Sequence, residues 1–379
     1  MKLFPHYVQL DAMDCAPMRL WISAKYESKS HSINIRYMKH FLSLILLATS
    51  CSLSATAQPA AQTAGAGFLW RISGNGLKSD SYVVGTNHLM PVSLLDNTKG
   101  FANVWRKVSQ VAAECDLLPI VDLFTTGHID EKYKSFGIPK ETIAKTTSGK
   151  KYSDLYTGSQ LQYMKRLLGS SLYPSLSADD MPPLNLCEKI YTHKKSNKSV
   201  GNFSIASNIL GAMDIALAAR SRTDRKRYFG MEGQTEGLTP FPKRDSLFYA
   251  SFTIEEQAEI LYREVKYQTA HPNRVSYESL MEKYYKERNF FGMEKVYANR
   301  QKYIDSLGLS DSLARKLREC DREAGRIVVE NRTRNWMSRI LSEIQSAPTL
   351  IDVGAEHLLG KEGLINLLRE NGYTVEPVM

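Results

Sequence analysis

From Phe68 onward the spacing of apolar positions changes several times, and each change marks a predicted element. Phe68-Leu-Trp-Arg-Ile-Ser73 alternates with a period of two, Gly74-Asn75-Gly76 forms a turn, and Ser81-Tyr-Val-Val84 is a second apolar run. Two short strands around a glycine turn predict a hairpin. Val104 to Val111 carries helical spacing, and Val111-Ala-Ala-Glu-Cys-Asp-Leu-Leu118 reads as a further strand stopped by Pro119. The stretch from about 125 to 250 is broken by Met181-Pro-Pro183. It contains a helical segment over Ala206–Ala219 and a short strand over Lys226–Gly230. From Thr253 to Gln345 long charged faces and scarce glycines predict helices. Thr349–Val353 then returns to strand character, Gly363–Glu370 is a helix stopped by Asn371-Gly372, and Tyr373–Val378 is a last strand. Strands at both ends and helices between predict an α/β (α+β) fold. Its central mixed sheet is built from the N- and C-terminal segments and covered by a large, mainly helical middle region. On this reading 68–378 is a single domain with a helical insertion at about 125–345.

The first 67 residues have a different character. Residues 1–37 are polar and irregular and read as a mis-annotated upstream extension. Met38-Lys39-His40 is followed by the apolar run Phe41–Ala48 and by Ala55-Thr56-Ala57. A basic start, a short apolar core and an A-x-A ending describe a secretory signal peptide over 38–57, cleaved after Ala57. Residues 58–67 are a linker of small residues with nothing to bury. The expected location is therefore outside the cytoplasm, in the periplasm or cell envelope. Cys51 in Ala48-Thr-Ser-Cys51 offers a lipid anchor as the alternative to cleavage after Ala57.

Composition narrows the class. With 43% hydrophobic and 23% charged residues, collagen-like and disordered chains are excluded. No apolar run reaches the roughly 18 residues that a spanning helix needs. The net charge of +9 is scattered rather than gathered in a stripe, so no nucleic-acid partner is expected. Of five cysteines, Cys115, Cys187 and Cys320 lie beyond the signal peptide. Their wide spacing makes neither a disulfide framework nor a C-x-x-C metal site.

Two short sequences rhyme. Val84-Gly85-Thr86-Asn87-His88 and Val353-Gly354-Ala355-Glu356-His357 each place Gly-x-x-His directly after an apolar strand. Glycine would let the chain turn as it leaves the sheet, and each His would project over the strand's carboxyl end, where open α/β sheets bind ligands. Val111–Ala113 runs into Glu114 in the same way. If these strands are neighbours, two imidazoles and a carboxylate converge, which is a sufficient set for a divalent metal with open positions. Arg332 and Trp336 share a face of a predicted helix, and the guanidinium could hold Glu114 or a developing oxyanion. Glu232 in Met231-Glu232-Gly233 could enter the site from a strand end, or cap the following helix. Asp214, flanked by apolar residues, calls for a buried partner such as Arg or Lys. His128, His193 and His271 lie in polar surroundings and read as surface residues.

These motifs, in this order, resemble the TraB/GumN family: Phe68-Leu-Trp-Arg-Ile, Tyr82–His88, the Glu114 strand, Phe229-Gly-Met-Glu232, the Arg332 helix and Val353–His357. The closing stretch Leu358–Pro377 is similar to that family's ending. The family includes the Tiki proteins, metal-dependent proteases using Mn²⁺ or Co²⁺. The resemblance implies that His88, Glu114 and His357 hold a divalent metal, with Mn²⁺ or Co²⁺ favoured and Zn²⁺ as an alternative. It implies a peptide or protein substrate, and places the family's late-helix arginine on Arg332. Glu232 or Glu356 would take a proton from water, and Arg332 would face the oxyanion. Two departures stand out. Glu356 occupies a position where the family pattern has glycine. The Arg-Asn pair of the pattern falls at 334–335, which leaves a register two residues later open. Two alternatives accompany the metallohydrolase: a non-catalytic protein binding a peptide or envelope component in the same cleft, and a metal-independent His/Glu esterase.

Overall fold

A computed structural model describes residues 67–126 (Leu89 apart), 150–168, Pro183, 210–233 and 240–378 (Pro272 apart). The signal peptide, nearly all of the linker, Cys51, Cys187, His128 and His193 lie outside the described residues. Six strands form one sheet: β1 (Leu69–Ser73), β2 (Ser81–Thr86), β3 (Gln110–Ala113), β4 (Arg227–Gly230), β5 (Thr349–Gly354) and β6 (Thr374–Pro377). Their order is β4-β3-β5-β2-β1-β6. β1 is antiparallel to both β2 and β6, which joins the two ends of the chain at one edge. The other four strands run parallel, with Ala113 opposite both Gly230 and Asp352, and Thr86 opposite Gly354. The fold is thus α/β with a mixed sheet, as expected.

The central strands read as unbroken apolar runs because both faces are covered. Every residue of β2 and of β5 is buried, as parallel strands between helices require. β3 is shorter than the sequence pattern suggests. It ends at Ala113, and Asp116 caps a helix that follows at once, its Oδ1 accepting from the Leu118 N–H at 3.0 Å. Pro119 is therefore in the first turn of a helix, where its missing N–H costs nothing, rather than at the end of a strand.

The helices that matter below are α1 (Phe101–Lys107), α2 (Leu118–Thr126), α3 (Met213–Thr223), α4 (Ile254–Ala270), α5 (Tyr277–Lys286), α6 (Phe290–Ala298), α7 (Asp311–Gly325), α8 (Asn331–Ser346) and α9 (Leu364–Glu370). Buried apolar side chains form two clusters. One surrounds the sheet and includes Val83, Val111, Ile351, Trp336 and Leu368. The other lies among helices and includes Met164, Phe248, Leu261, Tyr303 and Leu317. Between α7 and α8 the five residues Arg326–Glu330 take a π-helical turn. Such a turn breaks the regular i→i−4 ladder and often sits at a functional site. Among the described residues no helix is long and apolar enough to cross a membrane.

Candidate functional site

The four parallel strands end on one side of the sheet, and a polar side chain follows each within three residues: His88 after β2, Glu114 after β3, Glu232 after β4 and His357 after β5. The order of the strands, rather than proximity in the chain, brings these residues together. Glu114 is the hub and is only 5% exposed. Its Oε2 accepts from Arg332 Nη2 at 2.8 Å, and its Oε1 accepts from the Gly354 N–H at 2.6 Å. The same Oε1 lies 3.6 Å from His357 Nε2 and 3.9 Å from His88 Nε2.

Both Gly-x-x-His glycines are explained by space and not by a left-handed turn, since neither has a positive φ. A Cβ on Gly354 would lie 3.1 Å from Glu114 Oε1 and 3.2 Å from His88 Nε2. On Gly85 it would meet Leu358 Cδ1 at 2.6 Å and the Ala355 Cα at 3.1 Å. The first glycine keeps the site open, and the second lets the His357 turn pack against β2.

Each imidazole is gripped from behind. His88 Nδ1 bonds to Asp214 Oδ2 on the first turn of α3. That turn is pinned to the His88 loop by the Met213 N–H donating to the Met90 carbonyl at 2.9 Å. Asp214 therefore has the buried partner its surroundings demand, but it is a histidine rather than Arg or Lys. His357 Nδ1 lies 2.7 Å from Thr333 Oγ1, and Thr333 donates its hydroxyl proton to the Val329 carbonyl at 2.8 Å. With that proton committed, the hydroxyl can only accept from His357, so His357 carries its proton on Nδ1 and leaves Nε2 bare. Burial and the Arg332 guanidinium keep this imidazole neutral, with its pKa lowered to about 3.

Arg332 spans the site. Nε donates to Glu232 Oε1 at 2.8 Å and Nη1 to the Val328 carbonyl at 3.3 Å, while Nη1 lies 3.5 Å from His357 Nε2. Val328 and Val329 belong to the π-turn, so carbonyls of that turn accept from both Arg332 and Thr333. Trp336, one turn on, donates its indole N–H to Glu232 Oε1 at 2.6 Å and packs its ring 4.5 Å from the His357 ring. Arg334, the alternative register, instead pairs with Glu362 at the surface. Burial works against the Glu114 carboxylate, but the Arg332 guanidinium and the Gly354 N–H hold its pKa below the usual carboxylate value. Glu232 goes the other way: its burial outweighs the guanidinium and raises its pKa.

Of the sequence candidates, His88, Glu114, His357, Arg332 and Glu232 meet at this point. Glu356 does not; its Oε1 accepts from the Tyr277 hydroxyl at 3.1 Å. Thr333 and Asp352 are absent from the sequence reading. Asp352 on β5 is 2% exposed, and neither of its carboxyl oxygens has a hydrogen-bond partner. A carboxylate inside an apolar run was its only signal. His271, at the end of α4, is exposed as expected.

As the side chains stand, no three His, Cys, Asp or Glu among the described residues are drawn tightly enough to enclose a metal ion. Two imidazole nitrogens and a carboxylate oxygen are nevertheless donor types that bind divalent metals. Donor atoms about 2.1 Å from a tetrahedral ion lie about 3.4 Å apart, so 3.6 and 3.9 Å exceed that spacing by a few tenths of an ångström. Two imidazoles, each fixed at Nδ1, direct Nε2 toward one carboxylate oxygen, and a second partner behind each histidine is the usual support for a metal ligand.

A mixed sheet whose four parallel strands carry such a site at their carboxyl ends defines a class of α/β protein whose chemistry is carried by strand ends. The TraB/PrgY/gumN family is matched over residues 68–377, and the chain belongs to it. Neither a curated protein nor a solved structure matches the chain significantly.

Proposed function

We propose that the chain is an exported metal-dependent hydrolase whose substrate is a peptide bond. The observation that carries the reading is the convergence of His88 Nε2 and His357 Nε2 on Glu114 Oε1, with both Nδ1 atoms already engaged. His88, Glu114 and His357 would hold a divalent ion, Mn²⁺ or Co²⁺ by family resemblance. When bound, the ion supplies Lewis-acid polarisation of a carbonyl and lowers the pKa of a water. Arg332, anchored by two carboxylates, keeps its positive charge beside that point and can face a developing oxyanion. Glu232 is the carboxylate at hand to accept a proton, and a raised pKa suits that task. The location outside the cytoplasm rests on the signal-peptide pattern of residues 38–57.

One observation favours a second reading, a protein that binds a peptide or envelope component without cutting it. Arg332 Nη1 reaches within 3.5 Å of His357 Nε2, sharing the space an ion would use. Metal content separates the two. Purified untagged protein equilibrated with Mn²⁺, Co²⁺ or Zn²⁺ is expected to hold about one ion per chain, lost in His88→Ala and His357→Ala, and to cleave peptides in a chelator-sensitive way. A folded wild-type protein that takes up no ion would sink the hydrolase reading.

A further inference from the structure

Glu356 is the family departure beside the proposed ligand His357, and the structure gives it an unexpected neighbour. Its Oε1 accepts from Tyr277, a 4%-exposed side chain at the start of α5, 79 residues away in the chain. Beyond Tyr277 stands Arg300, whose positive charge acts on both Tyr277 and Glu356. The Arg300 guanidinium lies 4.5 Å over the Tyr297 ring, with Nε 3.9 Å from Asp321 Oδ2. Gln301 donates to that same Oδ2 at 2.9 Å. A Cβ on Gly325 would sit 3.2 Å from Arg300 Nη2, so the guanidinium rests against the last residue of α7, where the π-turn begins.

The π-turn leads directly to Arg332 and Thr333, and Thr333 grips His357. The His357 turn is therefore held from two directions, by the bond from Glu356 to Tyr277 on α5 and by Thr333 on the helix that follows the π-turn. Tyr297 also touches that turn from the helical side, since a Cβ on Gly360 would lie 3.3 Å from its ring.

We infer that Glu356 is a positioning residue: through Tyr277 it locks the His357 turn to α5, itself tied to β2 by Tyr285 donating to the Gly85 carbonyl at 3.0 Å, and with the grip of Thr333 this fixes the direction of His357 Nε2. The inference rests on the proposed function for its consequence, since an aimed Nε2 matters for holding an ion. The latch itself is a property of the protein with or without one. A glycine at position 356 could not make it. Glu356 then has no part in proton transfer, and Glu232 remains the carboxylate at the site.

The test uses the full chain with ¹⁵N-labelled histidine and the variants Glu356→Leu, Tyr277→Phe and the double substitution, none of which can make the hydrogen bond between positions 356 and 277. In metal-free protein the wild-type His357 signals should report one tautomer, with Nδ1 protonated. Each variant should move them toward a tautomer-averaging imidazole, and the double variant should move them no further than the stronger single. Co²⁺ affinity, read from the visible absorption of the protein, should fall about tenfold in each single variant, as for other lost supports of a ligand. The double variant should lose no more. Unchanged His357 signals in folded variants, or losses that simply add, would overturn the latch. If wild-type protein binds no Co²⁺, the hydrolase reading fails, and the nitrogen signals alone decide the latch.

Discussion

The hydroxyl of Thr333 offers the sharpest perturbation of the site. Thr333 is fully buried and its Oγ1 is engaged on both sides, accepting from His357 Nδ1 at 2.7 Å and donating to the Val329 carbonyl at 2.8 Å. Thr333→Val keeps the volume and opens no cavity, so its effect isolates the hydrogen bonds. The buried imidazole N–H loses its hydroxyl acceptor and keeps only the Val329 carbonyl, which in turn loses the hydroxyl, so about 1–2 kcal/mol is expected. Thr333→Ser retains the hydroxyl and removes one methyl, at about 1 kcal/mol. Urea unfolding of the metal-free protein reads both values. On the proposed function the two variants should also part in metal affinity. Valine should weaken Mn²⁺ or Co²⁺ binding by about 10–100-fold, whereas serine should leave it near wild type. A Thr333→Val protein as stable as wild type would refute the assignment of the His357 tautomer, because nothing would then depend on that acceptor.

The remaining predictions follow from individual side chains. Arg332→Ala strands Glu114 and Glu232 as buried carboxylates and should cost about 3–5 kcal/mol in urea unfolding, whereas Arg334→Ala, at the exposed register, should change stability by under about 0.5 kcal/mol. Equal effects would mean that the helix register is wrong. Burial and the charge of Asp214 push the Asp352 carboxyl well above its ordinary value of 3.8. The folded chain therefore keeps the proton while the unfolded chain releases it. Stability from this group is full below pH 3.8 and is lost as pH rises toward the folded value, at about 1.4 kcal/mol per unit. Asp352→Asn should remove that slope, and urea midpoints between pH 4.5 and 7 measure it; an unaltered slope would place the titration elsewhere. Burial raises the Cys320 thiol to about 12, so iodoacetamide at pH 8 should leave Cys320 unmodified until the protein unfolds. Labelling of the native protein, seen by peptide mass, would contradict the packing around α7.

Much of this arrangement is legible in the sequence, for a definite reason. Parallel strands covered on both faces are continuous apolar runs, and residues just past their ends sit at the sheet's carboxyl edge whatever the rest of the chain does. His88, Glu114, Glu232 and His357 all obey that rule, so their types and positions suffice to nominate them. Arg332 is legible through its helical spacing to Trp336, and both reach Glu232. The limits of β3 were less legible. An apolar run through Leu118 does not reveal that Asp116 starts a helix, because the capping bond depends on the chain's local path.

The supports of the site lie on the other side of that boundary. The pattern around Asp214 demands a buried partner, but only the docking of α3 on the His88 loop makes that partner a histidine. Thr333 reads as an ordinary helical residue, and only the packing of the His357 turn against its helix makes its hydroxyl a partner of the imidazole. Glu356 stands next to a ligand candidate in the chain yet faces Tyr277, because a short 3₁₀ turn sends successive side chains in different directions. Sequence by itself determined the strands, the residues at their ends and the family, since these follow from local periodicity and short motifs. Tertiary structure alone decided which strands are neighbours, which nitrogen of His357 is bare and which carboxylate stays at the site. Those choices depend on contacts between segments that are 24 to 307 residues apart.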